Sequence, residues 1–246
     1  MINKILGKFG YSISKINKVT FPSDFTDNHK EVVKAVAEYT MTSPQRIFSL
    51  IEAVEYIEKN NIEGDIVECG VWRGGSMMTV IKTLTRLKNT NRNLFLYDTY
   101  EGMSAPTDND VAIHGQKADD LLNNNTNKTE NLIWAYASLN DVKKNIEQLN
   151  YPKEKIHFVQ GKVEDTIPKT LPGKIAILRL DTDWYDSTKH ELEHLFPLLA
   201  TNGVLIIDDY GYWAGARKAV DEYFAAMTLV PYLSRIDETG RVLIKS

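Results

Sequence analysis

Cysteine is nearly missing from this sequence. Cys69 stands alone among 246 residues, so no internal disulfide and no cysteine-built zinc cluster is available. A reducing, cytoplasmic setting fits that usage. A surplus of positive charge is also missing. Lys and Arg number 29 against 33 Asp and Glu, a formal net charge of -4, which speaks against a broad phosphate-binding footprint and against nucleic acid as a partner. No apolar run reaches the roughly 18 to 20 residues of a membrane-crossing helix, so no transmembrane segment is expected. Met1 to Lys18 lacks the continuous apolar stretch and the small-residue cleavage site of a signal peptide. Its lysines among apolar residues suggest a short helix or hairpin packed on the domain, with membrane-surface contact as the alternative. There is no internal repeat and no low-complexity linker. The remaining composition, 43% hydrophobic and 25% charged, is enough to bury a core without staples.

The periodicity divides the chain near residue 60. Before it, helices are predicted over Asn28 to Thr40 and Gln45 to Lys59, the second opened by Ser43 as N-cap and Pro44 at the first helical position. Residues 1–60 thus read as a helical N-terminal extension or lid, and 61–246 as the main domain. From Asp65 short apolar runs alternate with helical stretches. Strands are expected at Ile66-Val67, Leu94 to Tyr97, Ile156 to Val159, Ile175 to Leu180 and Val204 to Ile207. Helices are expected at Ser76 to Leu87, Asn131 to Leu149, Ser187 to Leu199 and Ala214 to Ala226. Leu229 to Ile236 and Arg241 to Lys245 read as a terminal antiparallel hairpin around Gly240. This alternation predicts an α/β fold with a mostly parallel sheet and helices on both faces. Glu101 to Glu130, rich in Asn, Asp, Thr and Gly, reads as a long excursion serving as a lid or binding loop, with disorder as the competing reading.

Chemistry is concentrated at the strand ends. Asp65 to Ser76 runs from a strand through Gly70, Gly74 and Gly75 into a helix, so a ligand can approach backbone N–H groups closely. The spacing is not that of a dinucleotide fingerprint. Glu68 at the strand end suits a cationic group such as the α-amino group of S-adenosylmethionine; a plain tight turn is the alternative. Asp98 ends the second strand, where a carboxylate can accept from both ribose hydroxyls of a nucleoside, or simply cap a helix. The turn Gln160 to Asp165 after the third strand, with Gly161 and Val163, suits the flank of an adenine ring. Two acidic tips follow apolar strands: Asp181 and Asp183 in Leu180 to Tyr185, and Asp208-Asp209 in Ile207 to Tyr210. If these strands are neighbours, their carboxylates converge and repel unless a cation neutralises them. An oxygen-only donor set favours Mg²⁺, with Mn²⁺ or Ca²⁺ as alternatives; separate caps and surface charges are the bland reading. His190-Glu191-Leu192-Glu193-His194 matches the bare two-histidine zinc pattern, but Leu192, Leu195 and Phe196 give the same helix core spacing. His114 in the excursion is a weaker substrate contact.

Taken together, the segments Tyr39 to Pro44, Val67 to Gly75, Tyr97 to Met103, Leu180 to Thr188 and Ile207 to Tyr210 resemble the macrocin O-methyltransferase family, which methylates sugar hydroxyls on natural products. The resemblance implies a Rossmann-like, seven-stranded class I methyltransferase fold, S-adenosylmethionine as donor and Mg²⁺ dependence. It carries metal ligation onto Asp181, Asp208 and Asp209, and the catalytic base onto Asp181, with Asp183 able to take its place. It carries donor contacts onto Glu68, Gly70, Gly74, Ser76, Asp98, Thr99, Gly161, Val163 and Glu164. The expected acceptor is a sugar or glycosylated small molecule. A catechol-type diol methyltransferase, a nucleotide-sugar oxidoreductase and a non-catalytic scaffold of the same fold are the competing readings. Homo-oligomerisation is left open.

Overall fold

The computed structural model describes residues 21–227 and 230–246. The reading of Met1 to Lys18 lies outside the described residues, as do 228 and 229 before the terminal hairpin. Helices α1 (Asp27–Val36) and α2 (Pro44–Lys59) come first. Both are started by side chains: Thr26 and His29 form a reciprocal capping pair, and the Ser43 hydroxyl accepts from the Arg46 N–H ahead of Pro44. The alternating part contains β1 (Asp65–Cys69), α3 (Gly75–Arg86), β2 (Leu94–Asp98), α4 (Ala118–Asn123), α5 (Leu139–Glu147), β3 (Ile156–Gln160), α6 (Val163–Thr166), β4 (Ile175–Leu180), α7 (Tyr185–Leu195), β5 (Leu199–Ile207), α8 (Ala214–Ala225), β6 (Ser234–Arg235) and β7 (Arg241–Ile244).

Among the described residues, the sheet has seven strands in the order β3-β2-β1-β4-β5-β7-β6. β1 to β5 run parallel, and β7 and β6 close the edge antiparallel. Successive side chains of a strand face opposite sides, and here each side has its own core. Ile66, Leu94, Leu96, Ile177, Val204 and Ile206 pack with α1, α2, α3 and α5. Val67, Tyr97, Leu178, Leu205 and Ile207 pack with α7 and α8. Burial on both faces explains why the central strands read as unbroken apolar runs. The chain order reverses between β1 and β4, and the strand tips there open a crevice.

Three boundaries differ from expectation. The helix expected over Asn131 to Leu149 is interrupted. Leu132–Trp134 is a 3₁₀ turn, Ala135 is left-handed at φ 42°, and α5 begins only after Ser138, whose hydroxyl accepts from the Asp141 N–H. Of the apolar residues at helical intervals, Leu139, Val142 and Ile146 fall in α5, whereas Ala135 lines a cavity together with Leu132 and Ile133. α7 ends at Leu195, ahead of a 3₁₀ turn containing Pro197, so β5 begins at Leu199 rather than Val204. Finally, the first arm of the terminal hairpin shrinks to Ser234–Arg235. The Glu101 to Glu130 excursion is built and docked. It contains α4 and bridges Ala112 to Trp213.

Candidate active site

The tips of β1, β2, β3, β4 and β5, with the 39–46 segment and the excursion, enclose a cavity of about 470 Å³. Gly70, Ser76, Asp98, Thr99, Gly161, Val163 and Glu164 line it, as do Asp181, Asp183, Asp208 and Asp209. The strand-end carboxylates and turns singled out in the sequence are therefore neighbours in space. Two residues do not join them. Gly74 faces α5, where an added Cβ would meet Ile146 at 3.0 Å. Glu68 is buried outside the lining, and its Oε1 accepts from Arg179 at 2.7 Å.

The glycine turn is shaped by close approach. Gly70 sits at φ 83°, and a Cβ there would lie 2.0 Å from the carbonyl oxygen of Asp181, so this position requires glycine. Asp98 closes the same turn from the next strand. Its Oδ2 accepts from the N–H groups of Val71 at 2.7 Å and Trp72 at 3.1 Å, and its Oδ1 from Tyr100 at 2.6 Å. Burial pushes its pKa up, against the pull of these three N–H donors. Asp98 thus clamps the backbone of the β1–α3 turn while presenting itself to the cavity.

The opposite wall is acidic. Ligand atoms of Asp181, Asp208 and Asp209 all lie within 4.8 Å of one another. Arg179, the penultimate residue of β4, donates to Glu68, to Asp181 Oδ2 at 2.8 Å, to Asp208 Oδ1 at 2.6 Å and to the Thr42 hydroxyl at 3.0 Å. Arg46, from the first turn of α2, bridges Asp208 Oδ2 and Asp237, and Asp237 also accepts from the Ser43 hydroxyl at 2.5 Å. Among the described residues, the two guanidiniums thus face Glu68, Asp181, Asp208, Asp209 and Asp237, and Asp183 adds a sixth carboxylate beside Asp209. Burial raises Asp181 and Asp209 well above the usual carboxylate range. It pushes Asp183 up to about 7, although a hydrogen bond with Asp209 pulls the other way. Among the described residues, Asp209 Oδ2 finds no hydrogen-bond partner although it is buried. An all-oxygen donor set, excess negative charge and an orphaned carboxylate oxygen together suit a divalent cation.

Neither arginine was singled out in the sequence. For Arg179 a signal existed: a cation inside the apolar run Ile175–Leu180, every residue of which is buried. A buried charge implies partners. Arg46 offered no comparable signal. Among the described residues, the two histidines join no group of three metal-ligating side chains. His190 Nε2 pairs with the Ile167 carbonyl at 2.9 Å, His194 Nδ1 with the His190 carbonyl at 2.9 Å, and Glu191 accepts from the Thr182 hydroxyl at 2.9 Å.

The raised carboxylates carry a consequence for stability. Burial pushes both Asp183 and Glu68 up to about 7, from ordinary values of 3.8 and 4.5. Between those limits the folded chain binds more protons than the unfolded one. Their stabilising contribution is therefore complete below about pH 4 and is lost as pH rises through about 7. With EDTA present, melting temperature is expected to be lower at pH 8 than at pH 6, and Mg²⁺ to raise it more at pH 8. Equal melting temperatures at the two pH values would contradict this account of the acidic wall.

Comparison with known proteins agrees with this architecture. Residues 14–245 match the family described as Macrocin-O-methyltransferase (TylF). The 8-demethyl-8-(2,3-dimethoxy-alpha-L-rhamnosyl)-tetracenomycin-C 4'-O-methyltransferase of Streptomyces olivaceus is 33% identical over 208 residues, spanning 82% of this chain and 74% of that protein. The demethyldecarbamoylnovobiocin O-methyltransferase of Streptomyces niveus is 31% identical over 202 residues, with the same coverage of 82% and 74%. Among solved structures, the O-methyltransferase NovP superposes with a TM-score of 0.72 at 30% identity, covering 85% of this chain and 82% of NovP. This chain belongs to the macrocin O-methyltransferase family and, by that membership and its fold, is an S-adenosylmethionine-dependent O-methyltransferase.

Proposed function

We propose that the enzyme methylates a hydroxyl of a sugar, or of a glycosylated small molecule, and uses a divalent cation, Mg²⁺ ahead of Mn²⁺ or Ca²⁺, to hold that hydroxyl. The observation that carries this reading is the meeting of Asp181, Asp208 and Asp209 in the cavity that Gly70, Asp98 and Gly161 also line. The relative from Streptomyces olivaceus, whose name specifies a rhamnosyl group, supports a sugar as acceptor. The single, buried Cys69 fits a cytoplasmic setting.

S-adenosylmethionine supplies a methyl group on a positively charged sulfur. A divalent cation supplies Lewis acidity that lowers the pKa of a hydroxyl. The protein's own residues do the rest. Asp181, Asp208 and Asp209 would hold the cation. Gly70, Ser76, Asp98 and Thr99 would receive the methionyl and ribose portions of the donor, and Gly161, Val163 and Glu164 the flank of its adenine. Asp181, or Asp183 beside it, accepts the acceptor's proton. Tyr212, Trp213 and Met103 form apolar wall on the acceptor side and help keep water out.

Calorimetry with S-adenosylmethionine, with and without Mg²⁺, followed by a panel of sugar and phenolic acceptors, tests this reading. Donor binding, cation binding and transfer to a sugar are expected. Transfer to catechols alone, or full activity in EDTA, would replace the sugar or the cation part respectively.

A further inference from the structure

One buried carboxylate outside the chemistry described above holds the excursion in place. Asp110 is 1% exposed. Its Oδ2 accepts from the Thr107 N–H at 2.6 Å and the Thr107 hydroxyl at 2.9 Å. Its Oδ1 accepts from the N–H of Tyr185 at 2.8 Å. Tyr185 is the first residue of α7, and the N-cap residue Trp184 makes no side-chain cap. A helix start needs such an acceptor and favours negative charge. Asp110 therefore caps α7 from a distant part of the chain.

The same carboxylate also touches α8. A Cβ added to Gly215 would lie 2.0 Å from Asp110 Oδ1. Backbone bonds surround this contact: Ala118 N–H to the Asp110 carbonyl and Ala214 N–H to the Val111 carbonyl, both at 2.9 Å. α7 begins directly after the Asp181 to Asp183 loop, and α8 shortly after Asp208-Asp209. Asp110 thus sits where the excursion meets the start of each helix that follows an acidic tip.

We propose that Asp110 is a positioning residue. It fixes the separation of the two aspartate loops and docks the excursion beside them, and Gly215 provides the space its carboxylate needs. The consequence for the cation rests on the divalent-cation reading above. Residues that support metal ligands from outside typically cost about 10- to 100-fold in affinity when altered.

The test is a Mn²⁺ titration of the full chain with S-adenosylhomocysteine present, read by the paramagnetic resonance of free Mn²⁺. Wild type is compared with Asp110→Ala, Gly215→Ala and the double variant. Each single change is expected to weaken Mn²⁺ binding about tenfold. Gly215→Ala keeps every charge, so its loss reports position rather than electrostatics. The double variant should bind no more weakly than either single one, because removing the carboxylate relieves the 2.0 Å clash and leaves the new methyl group only a 3.1 Å contact with the Tyr185 N. Wild-type affinity in both single variants, or losses that add in the double variant, would overturn the proposal. Should wild type bind no Mn²⁺, the cation reading fails, and hydrogen exchange in the same four proteins decides the fate of Asp110. Faster exchange of the Tyr185 and 111–118 amides in each single variant, with no further gain in the double, sustains its role. Unchanged exchange removes it.

Discussion

Asp181→Ala is expected to cut methyl transfer at least about a thousandfold, while donor affinity stays within a few-fold of wild type. The two effects separate because they live on different strand tips. In the proposed reading the donor lies against Gly70, Asp98 and Gly161, which line the cavity at the ends of β1, β2 and β3, and the contacts of Asp98 do not involve the Asp181 side chain. Asp181, at the end of β4, is one of three carboxylates whose oxygens converge, and it is the candidate proton acceptor. On the proposed mechanism its loss would remove a cation ligand and a base together. The backbone at this position is held independently: the Asp181 N–H donates to the Cys69 carbonyl at 2.9 Å, so the loop should keep its course. Release of S-adenosylhomocysteine measures transfer, and calorimetry measures donor and Mg²⁺ affinity. Turnover within tenfold of wild type would remove Asp181 from the mechanism.

Arg179→Met is expected to destabilise the fold by about 3–5 kcal/mol, because removing one partner of a buried ion pair leaves uncompensated charge. For a chain of this size that corresponds to a fall in melting temperature of roughly 10 °C. The Arg179 side chain is 5% exposed and draws Glu68, Asp181 and Asp208 onto one guanidinium. Burial opposes its charge, but those carboxylates hold it protonated, above the ordinary arginine range. Without it, Glu68 keeps neither its cationic partner nor any exposure to water. The deficit should shrink at pH 5.5 relative to pH 8, since Glu68 can then be buried neutral. An Arg179→Met variant that melts like wild type at pH 8 would show that Arg179 contributes nothing net to the fold.

Much of the fold was legible because strand and helix periodicities are local. The run Ile175–Leu180 is apolar at all but one position, and it is buried on both faces. Ser43-Pro44 announced the start of α2, and Ser43 is its cap. Where the periodicity and the structure differ, a competing local signal is present in the sequence. Asn131 to Leu149 carries apolar residues at helical intervals, yet Ser138 restarts the helix and Leu132 and Ile133 face the cavity. Pro197 likewise marked the stop of α7 and the earlier start of β5. The candidate site was legible as positions: Gly70, Asp98, Gly161, Asp181 and Asp208-Asp209 each follow a strand, and in an open parallel sheet all such tips share one edge.

The sequence alone was therefore enough for the layer architecture, the edge of the sheet where the candidate site lies and the family resemblance that the comparisons bear out. Tertiary structure alone decided how the charges are shared. Glu68, read as a hand for a cationic ligand, holds Arg179 instead. Arg46 reaches Asp208 from 162 positions away, Ser43 reaches Asp237 from 194, and Asp110 caps α7 across 75. Periodicity and turn preferences act over a few neighbouring residues. The state of a carboxylate depends on which distant groups folding brings within about 3 Å and how much water it takes away.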